Sequence, residues 1–176
     1  MSLMTATPYK INNMELKNRI IMLVMHTAFA KGGKLSEEDY AFFEARAKGS
    51  PAAITQVVGV NDEGTADSMP NVTDESFFDA EKRITDMIHS YGTKHIVQLF
   101  HRGRNAASDK GLKPIAPSNV PSGIYRNECE VMTAEKIEET VKAFADAALK
   151  LKEIGVDAVE VSMSAGYLLS LFFSPI

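Results

Sequence analysis

The sequence predicts an α/β fold with a parallel sheet and helical crossovers, and three observations carry that prediction. Short, continuously apolar runs alternate with longer segments of helical period. The runs read as strands buried on both faces, as parallel strands are. Hairpin-type turn signals between them are few. At 176 residues, 45% of them hydrophobic and 24% charged, residues 1–176 have the composition of one globular domain with its own core.

The first strand is expected in Arg19-Ile20-Ile21-Met22-Leu23-Val24-Met25. Ser36 supplies an N-cap and Glu37, Glu38 and Asp39 the acids of a helix N-terminus, after which Tyr40, Phe42, Phe43 and Ala47 recur at helical spacing up to Gly49. A second apolar run spans Ala52 to Val60, and Phe77 to Tyr91 is helical in period. The third strand is His95 to Phe100, followed by a long loop rich in glycine and proline from Gly103 to Gly123. Thr133-Ala134-Glu135-Lys136 caps a long amphipathic helix ending near Gly155, and Asp157 to Val161 is the fourth strand.

Charge and composition narrow the function. The net charge is -4 and the 19 Lys and Arg form no long run, which argues against a nucleic-acid partner or a polybasic membrane surface and favours a small molecule. The single cysteine, Cys129, excludes an intrachain disulfide and a cysteine-based metal cluster, and the Cys-poor make-up suits a reducing compartment. No run approaches ~18 uninterrupted apolar residues, so a soluble, cytoplasmic chain is expected. His89 and His95 lack metal-ligand spacing, and no metal is expected.

No G-x-G-x-x-G or Walker A pattern opens a helix, which counts against a nucleotide-binding doubly wound sheet. A (β/α)8 barrel gathers functional groups at the C-terminal ends of its strands, and the strand ends here carry Met25-His26-Thr27, Gln98 with His101, and Ser162. A strand-end histidine such as His26 or His101 serves a structural hydrogen bond more often than a ligand. Arg102 and Arg104 could anchor a phosphate or carboxylate, or form a solvated loop.

These segments resemble the Old Yellow Enzyme family of flavoproteins, with its enoate and 2,4-dienoyl-CoA reductase branches. The resemblance lies in the order and spacing of Leu16-Lys17-Asn18-Arg19-Ile20, Met25-His26-Thr27 and Gln98-Leu99-Phe100-His101-Arg102-Gly103-Arg104. Ala116-Pro117-Ser118, Val159-Glu160-Val161 and Gly166-Tyr167-Leu168 continue the series. It implies the first four strands of a TIM-type barrel that holds FMN, is reduced by NADH or NADPH, and reduces the C=C bond of α,β-unsaturated carbonyl or thioester compounds. It also implies cofactor contacts at Met25, Thr27, Gly59 and Gln98, and substrate contacts at His26, Ser162 and Arg104. Tyr167 is implied as the catalytic proton donor. The Gln98 amide both donates and accepts, which matches the pyrimidine edge of a flavin.

The chain also departs from that family. Ser162 and Ala165 stand where many members place His and then His or Asn to grip the substrate carbonyl, and loss of such a donor costs ~3 to 4 kcal/mol in the transition state. Val24 replaces a common proline, and Ser50-Pro51 replaces a Gly-Gly. A full barrel needs ~250 residues and takes its phosphate grip from the loops after strands seven and eight. The expectation is therefore the N-terminal half of a longer enzyme, needing its missing half or self-association. The alternative is a non-catalytic half-barrel module or remnant, as a single chain or a dimer, with weak or no flavin binding.

Overall fold

The computed structural model describes residues 3–106, 111–126 and 128–174. The chain opens with an antiparallel hairpin, β1 (Tyr9–Ile11) and β2 (Met14–Leu16), turning at Asn12, which adopts φ 51°. Its Leu16 is buried against Ala52 and Ala53, at the N-terminal end of the main sheet. The periodicity argument does not reach this hairpin, because strands of three residues are too short to show an alternation.

The main sheet contains β3 (Ile21–Met25), β4 (Ala53–Gly59), β5 (Lys94–Phe100) and, after the short pair β6 (Ile115–Ala116) and β7 (Glu130–Val131), β8 (Ala158–Val161). All its pairings are parallel and its order is β3-β4-β5-β8, the order of the chain. A doubly wound sheet reverses strand order at a switch point, and this sheet does not. Helices α1 (Glu37–Ala47), α2 (Ser76–Ser90) and α3 (Ala134–Glu153) connect the strands, and a short α4 (Leu168–Leu171) follows β8. The expected caps form: Ser36 and Asp39 make a reciprocal capping box, and the Thr133 hydroxyl accepts the Lys136 N–H.

Period-two alternation assigns the two faces of the sheet. Ile54, Val58, Val97 and Leu99 pack outward on Phe43 of α1, Phe77, Ile84 and Ile88 of α2, and Ala147 and Leu151 of α3. Val57 and Phe100 point the other way, into a smaller cluster with Met69, Val24 and Tyr167. Every residue of β4 is buried, whereas the edge strands leave Leu23 77%, Met25 57% and Val161 43% exposed. The backbone groups along the outer sides of β3 and β8 have no strand partner in this sheet.

A polar cluster interrupts the outer layer. Gln56 Nε2 donates to Glu81 Oε2 at 3.0 Å, and Glu81 Oε1 lies 3.7 Å from His95 Nε2, with all three residues buried. Burial, reinforced by the Asp39 charge and opposed by the Gln56 hydrogen bond, pushes the Glu81 carboxyl up to about 8. Burial, with the nearby His89, pushes His95 down to about 3. The pair is therefore a neutral acid beside a neutral imidazole, not an ion pair. The Thr85 hydroxyl donates to the Glu81 carbonyl at 2.9 Å, so the contact of 3.0 Å between Thr85 Oγ1 and His95 Nδ1 assigns the proton to Nδ1.

The raised Glu81 value favours folding while the carboxyl is protonated, and that advantage is lost as pH rises from about 4.5 to about 8. The depressed His95 value acts oppositely: stability is present above about 6.5 and lost as pH falls toward about 3. The two slopes oppose each other in mildly acidic solution and leave only the Glu81 slope above about pH 6.5. Thermal unfolding should therefore show a melting temperature that declines from about pH 6.5 to 8. Glu81→Gln should remove the decline, and a variant with the wild-type slope would contradict the neutral-pair assignment.

Gly59, at the end of β4, is required by packing. A Cβ there would lie 1.6 Å from Cγ2 of Thr65, whose hydroxyl is fixed by donating to the Asn61 carbonyl at 2.6 Å. Gly59→Ala should cost about 1–3 kcal/mol in chemical denaturation. In a Thr65→Ser background, which removes Cγ2 and keeps the hydroxyl, that cost should fall by at least half. Equal costs in both backgrounds would exclude Thr65 as the cause.

Candidate active site

The parallel register gathers the sequence-derived candidates at one end of the sheet. Met25 pairs with Gln56, Val57 with Gln98, Gly59 with Phe100, and Gln98 with Glu160. The Ser162 N–H donates to the Leu99 carbonyl at 3.1 Å, which seats Ser162 just past the end of β8. Met25, Gly59, Gln98 and Ser162 thus lie at or near the C-terminal ends of their strands. At the opposite end of the sheet Lys17 donates to the Tyr91 carbonyl at 2.9 Å.

Gln98 shares its face with Phe100 and is 8% exposed. Its Nε2 donates to the carboxylate of Glu160 on the neighbouring strand, which itself is exposed. The amide is thereby oriented by a charged acceptor, and the sequence reading, which quoted Glu160 only within a motif, gave it no role. Phe100 meets Tyr167 edge-on, with ring centroids 4.5 Å apart and planes at 71°. Tyr167 is half-buried, at the start of α4.

The residues after β3 take different tasks. Thr27 donates its hydroxyl to Asp39 Oδ1 at 2.6 Å, tying the strand end to the capping box of α1. The Thr27 proton is thus committed to the protein, and its oxygen, which accepts the Phe29 N–H at 3.5 Å, keeps one lone pair for a ligand. His26 is exposed, with Nε2 3.0 Å from the Ser68 carbonyl. Beside Gly59 the space that a small residue leaves is filled by the Thr65 side chain.

His101 is a structural histidine. It is 1% exposed, its Nδ1 accepts the Gly103 N–H at 3.0 Å, and its Nε2 has no partner among the described residues. Gly64 lies so close over the ring that a Cβ there would sit 2.4 Å from Cγ. Burial, with Lys136 nearby, pushes the imidazole down to about 3, so it stays neutral. Arg102 donates to the Tyr125 hydroxyl at 3.0 Å, with its guanidinium 5.6 Å from that ring. Arg104 is half-buried in the short turn Gly103–Asn105 that follows β5.

Two residues of the site carried no signal in the sequence. Asn105, 7% exposed, donates from Nδ2 to the Gly166 carbonyl at 3.0 Å and accepts from the Ser122 hydroxyl at 2.6 Å. Both lie in a loop where the amide's partners are distant in sequence, and no periodicity marks them. Among the described residues no group of three or more His, Cys, Asp or Glu could hold a metal ion, and no helix is long and apolar enough to cross a membrane.

Comparison with known proteins matches this architecture. A metal reductase of Desulforamulus reducens is 36% identical over 172 residues, covering 97% of this chain and 26% of the relative. An NADPH dehydrogenase of Bacillus pumilus is 31% identical over 174 residues, covering 97% of this chain and 51% of the relative. Among solved structures, an Old Yellow Enzyme from a Pichia species superposes with a TM-score of 0.88 at 25% identity, over 98% of this chain and 49% of that one. Morphinone reductase superposes with a TM-score of 0.90 at 19% identity and shares the fold. The chain spans between about a quarter and about half of the length of these relatives. Residues 6–176 match the NADH:flavin oxidoreductase / NADH oxidase family, and the chain belongs to it, as part of a (β/α)8 barrel of the Old Yellow Enzyme kind.

Proposed function

We propose that this chain carries the catalytic acid and part of the flavin site of an FMN-dependent NAD(P)H oxidoreductase that reduces the C=C bond of α,β-unsaturated carbonyl or thioester compounds. The observation that carries the reading is the seating of Tyr167 against Phe100, two residues beyond Gln98 on the same face of β5.

The donor set fits a flavin. Gln98 offers an amide that both donates and accepts, held by Glu160 on the sheet face that carries Val57 and Phe100. Gln98, with Met25 and the Thr27 oxygen, would hold the ring, while the Gly59 backbone is already bonded to Pro70 and Val72. The chemistry that bound FMN supplies is hydride transfer from NADH or NADPH to the β-carbon of the alkene. Tyr167 then donates its phenolic proton to the α-carbon: the O–H bond breaks as the C–H bond forms, and the phenolate regains a proton from water. His26 and Arg104 flank the substrate, and Arg104 suits an anionic group on it.

The substrate carbonyl meets one hydroxyl, that of Ser162, and the methyl of Ala165, in place of two strong donors. That asymmetry favours substrates already activated, such as unsaturated thioesters, over simple enones. Tyr167→Phe should lower kcat for alkene reduction about 100-fold and leave FMN affinity unchanged. A Tyr167→Phe protein with the wild-type rate would exclude the phenol as the acid.

The partner follows from the open edges. Val161 of β8 faces an apolar groove of ≈ 370 Å³ shared with Ile137, Val141 and Phe144 of α3 and with Leu168 and Phe172. This favours a complementing half barrel, supplied by a longer chain or by a second copy. The 176-residue chain alone should therefore either pair with a second copy, giving a mass in solution above 19.3 kDa, or expose the groove as a dye-binding monomer. A stable monomer that does not bind a hydrophobic dye would contradict this need.

A further inference from the structure

The segment that presents Tyr167 is held from outside itself. Ser164, Ala165 and Gly166 form a turn closed by the Tyr167 N–H donating to the Ser164 carbonyl at 3.2 Å. Ala165 adopts φ 57° and Gly166 φ 72°, so a residue bearing a Cβ sits in the left-handed region, which alanine disfavours. Such a conformation persists only where surrounding contacts over-determine it.

Those contacts come from the turn after β5. The Leu168 N–H donates to the His101 carbonyl at 3.1 Å, and Asn105 Nδ2 donates to the Gly166 carbonyl at 3.0 Å. The Asn105 amide is fixed at its other end by the Ser122 hydroxyl at 2.6 Å. Ser122, 1% exposed, also accepts the N–H groups of Ile124 and Tyr125, both at 3.1 Å, and its carbonyl accepts the Arg126 N–H at 2.9 Å. Tyr125 in turn accepts from Arg102. One buried amide therefore joins the loop containing residues 122–126 to the residue immediately before the tyrosine.

We propose that Asn105 is a positioning residue for the Tyr167 acid, transmitting the placement of the Ser122–Arg126 turn to the phenol through the Gly166 carbonyl. The proposal rests on the reading of Tyr167 as proton donor only for its consequence in catalysis. Asn105→Ala removes both ends of the joint. Asn105→Asp keeps the shape but replaces the donor facing the Gly166 carbonyl with an acceptor, so the contact turns repulsive. Ser122→Ala leaves the Asn105 amide in place but without its orienting donor.

The test is NMR of the 176-residue protein with ring-labelled tyrosine, the Tyr167 signal being assigned as the one missing in Tyr167→Phe. Edge-on contact with Phe100 displaces the Tyr167 ring protons from the values of free tyrosine by ring current. Asn105→Ala and Asn105→Asp should both move the signal toward the free value, with Ser122→Ala moving it part of the way. The signals of Tyr40 and Tyr91, which pack in the outer layer, should stay in place and so report a folded protein. An unchanged Tyr167 signal in either folded Asn105 variant would overturn the proposal. If both Asn105 variants fail to fold, Ser122→Ala decides by the same criterion. In FMN-loaded protein, Asn105→Asp should lower kcat at least tenfold with KM for the nicotinamide unchanged. A wild-type protein that takes up no FMN would sink the catalytic reading, while the Tyr167 signal would still decide the role of Asn105.

Discussion

The parallel pairing of β4 with β5, seven residues in continuous register from Ala53↔Lys94 to Gly59↔Phe100, is the constraint on which the rest depends. Side chains alternate along a strand, so this register decides at once which residues enter the helical layer and which face the site. A slip of one residue would send Gln98 and Phe100 among the helices and bring Val97 and Leu99 to the site face. Leu99, 1% exposed among α2 and α3 contacts, and Val58, fully buried, hold the register by hydrophobic burial. The Gln98 amide is thus positioned by the apolar residues on either side of it in sequence.

A second consequence of that alternation is the Gln56, Glu81 and His95 cluster. Gln56 and His95 project outward from the sheet to meet Glu81 of α2, in the layer where apolar side chains would otherwise meet. Removing water from an acid and an imidazole together makes both neutral, and the cost of burial is met by holding protons instead of separating charge. The cluster shows how the helical layer can contain titratable groups without contributing any to the site. His101 belongs to the same class: although it follows a strand end, Gly64 closes over it and it supports the turn that leads to Asn105.

Much of this was legible in the sequence, for identifiable reasons. The four strands of the main sheet announce themselves as apolar runs, and Ser36 and Thr133 mark helix starts with side chains that can satisfy free N–H groups. The strand-end candidates were legible because a parallel sheet displays its chemistry at one end. The hairpin at Tyr9–Leu16 was not, since its strands are three residues long, and neither was the β6–β7 pair, at two residues each. Asn105 and Ser122 escaped because their partners lie 61 and 17 residues away, a relation that no local pattern encodes. The filling of the space beside Gly59 by Thr65 was likewise invisible, because a glycine in a sequence does not say what approaches it.

We propose that the inward amide of Gln98, held by Glu160, contacts FMN. It is tested most directly by titrating FMN into the 176-residue protein and into Gln98→Leu, following the visible absorption band of the flavin. A saturable shift of the band is expected with the wild-type chain, and at least tenfold weaker binding by the variant. No shift with folded wild-type protein, or identical titrations for the two, would contradict it.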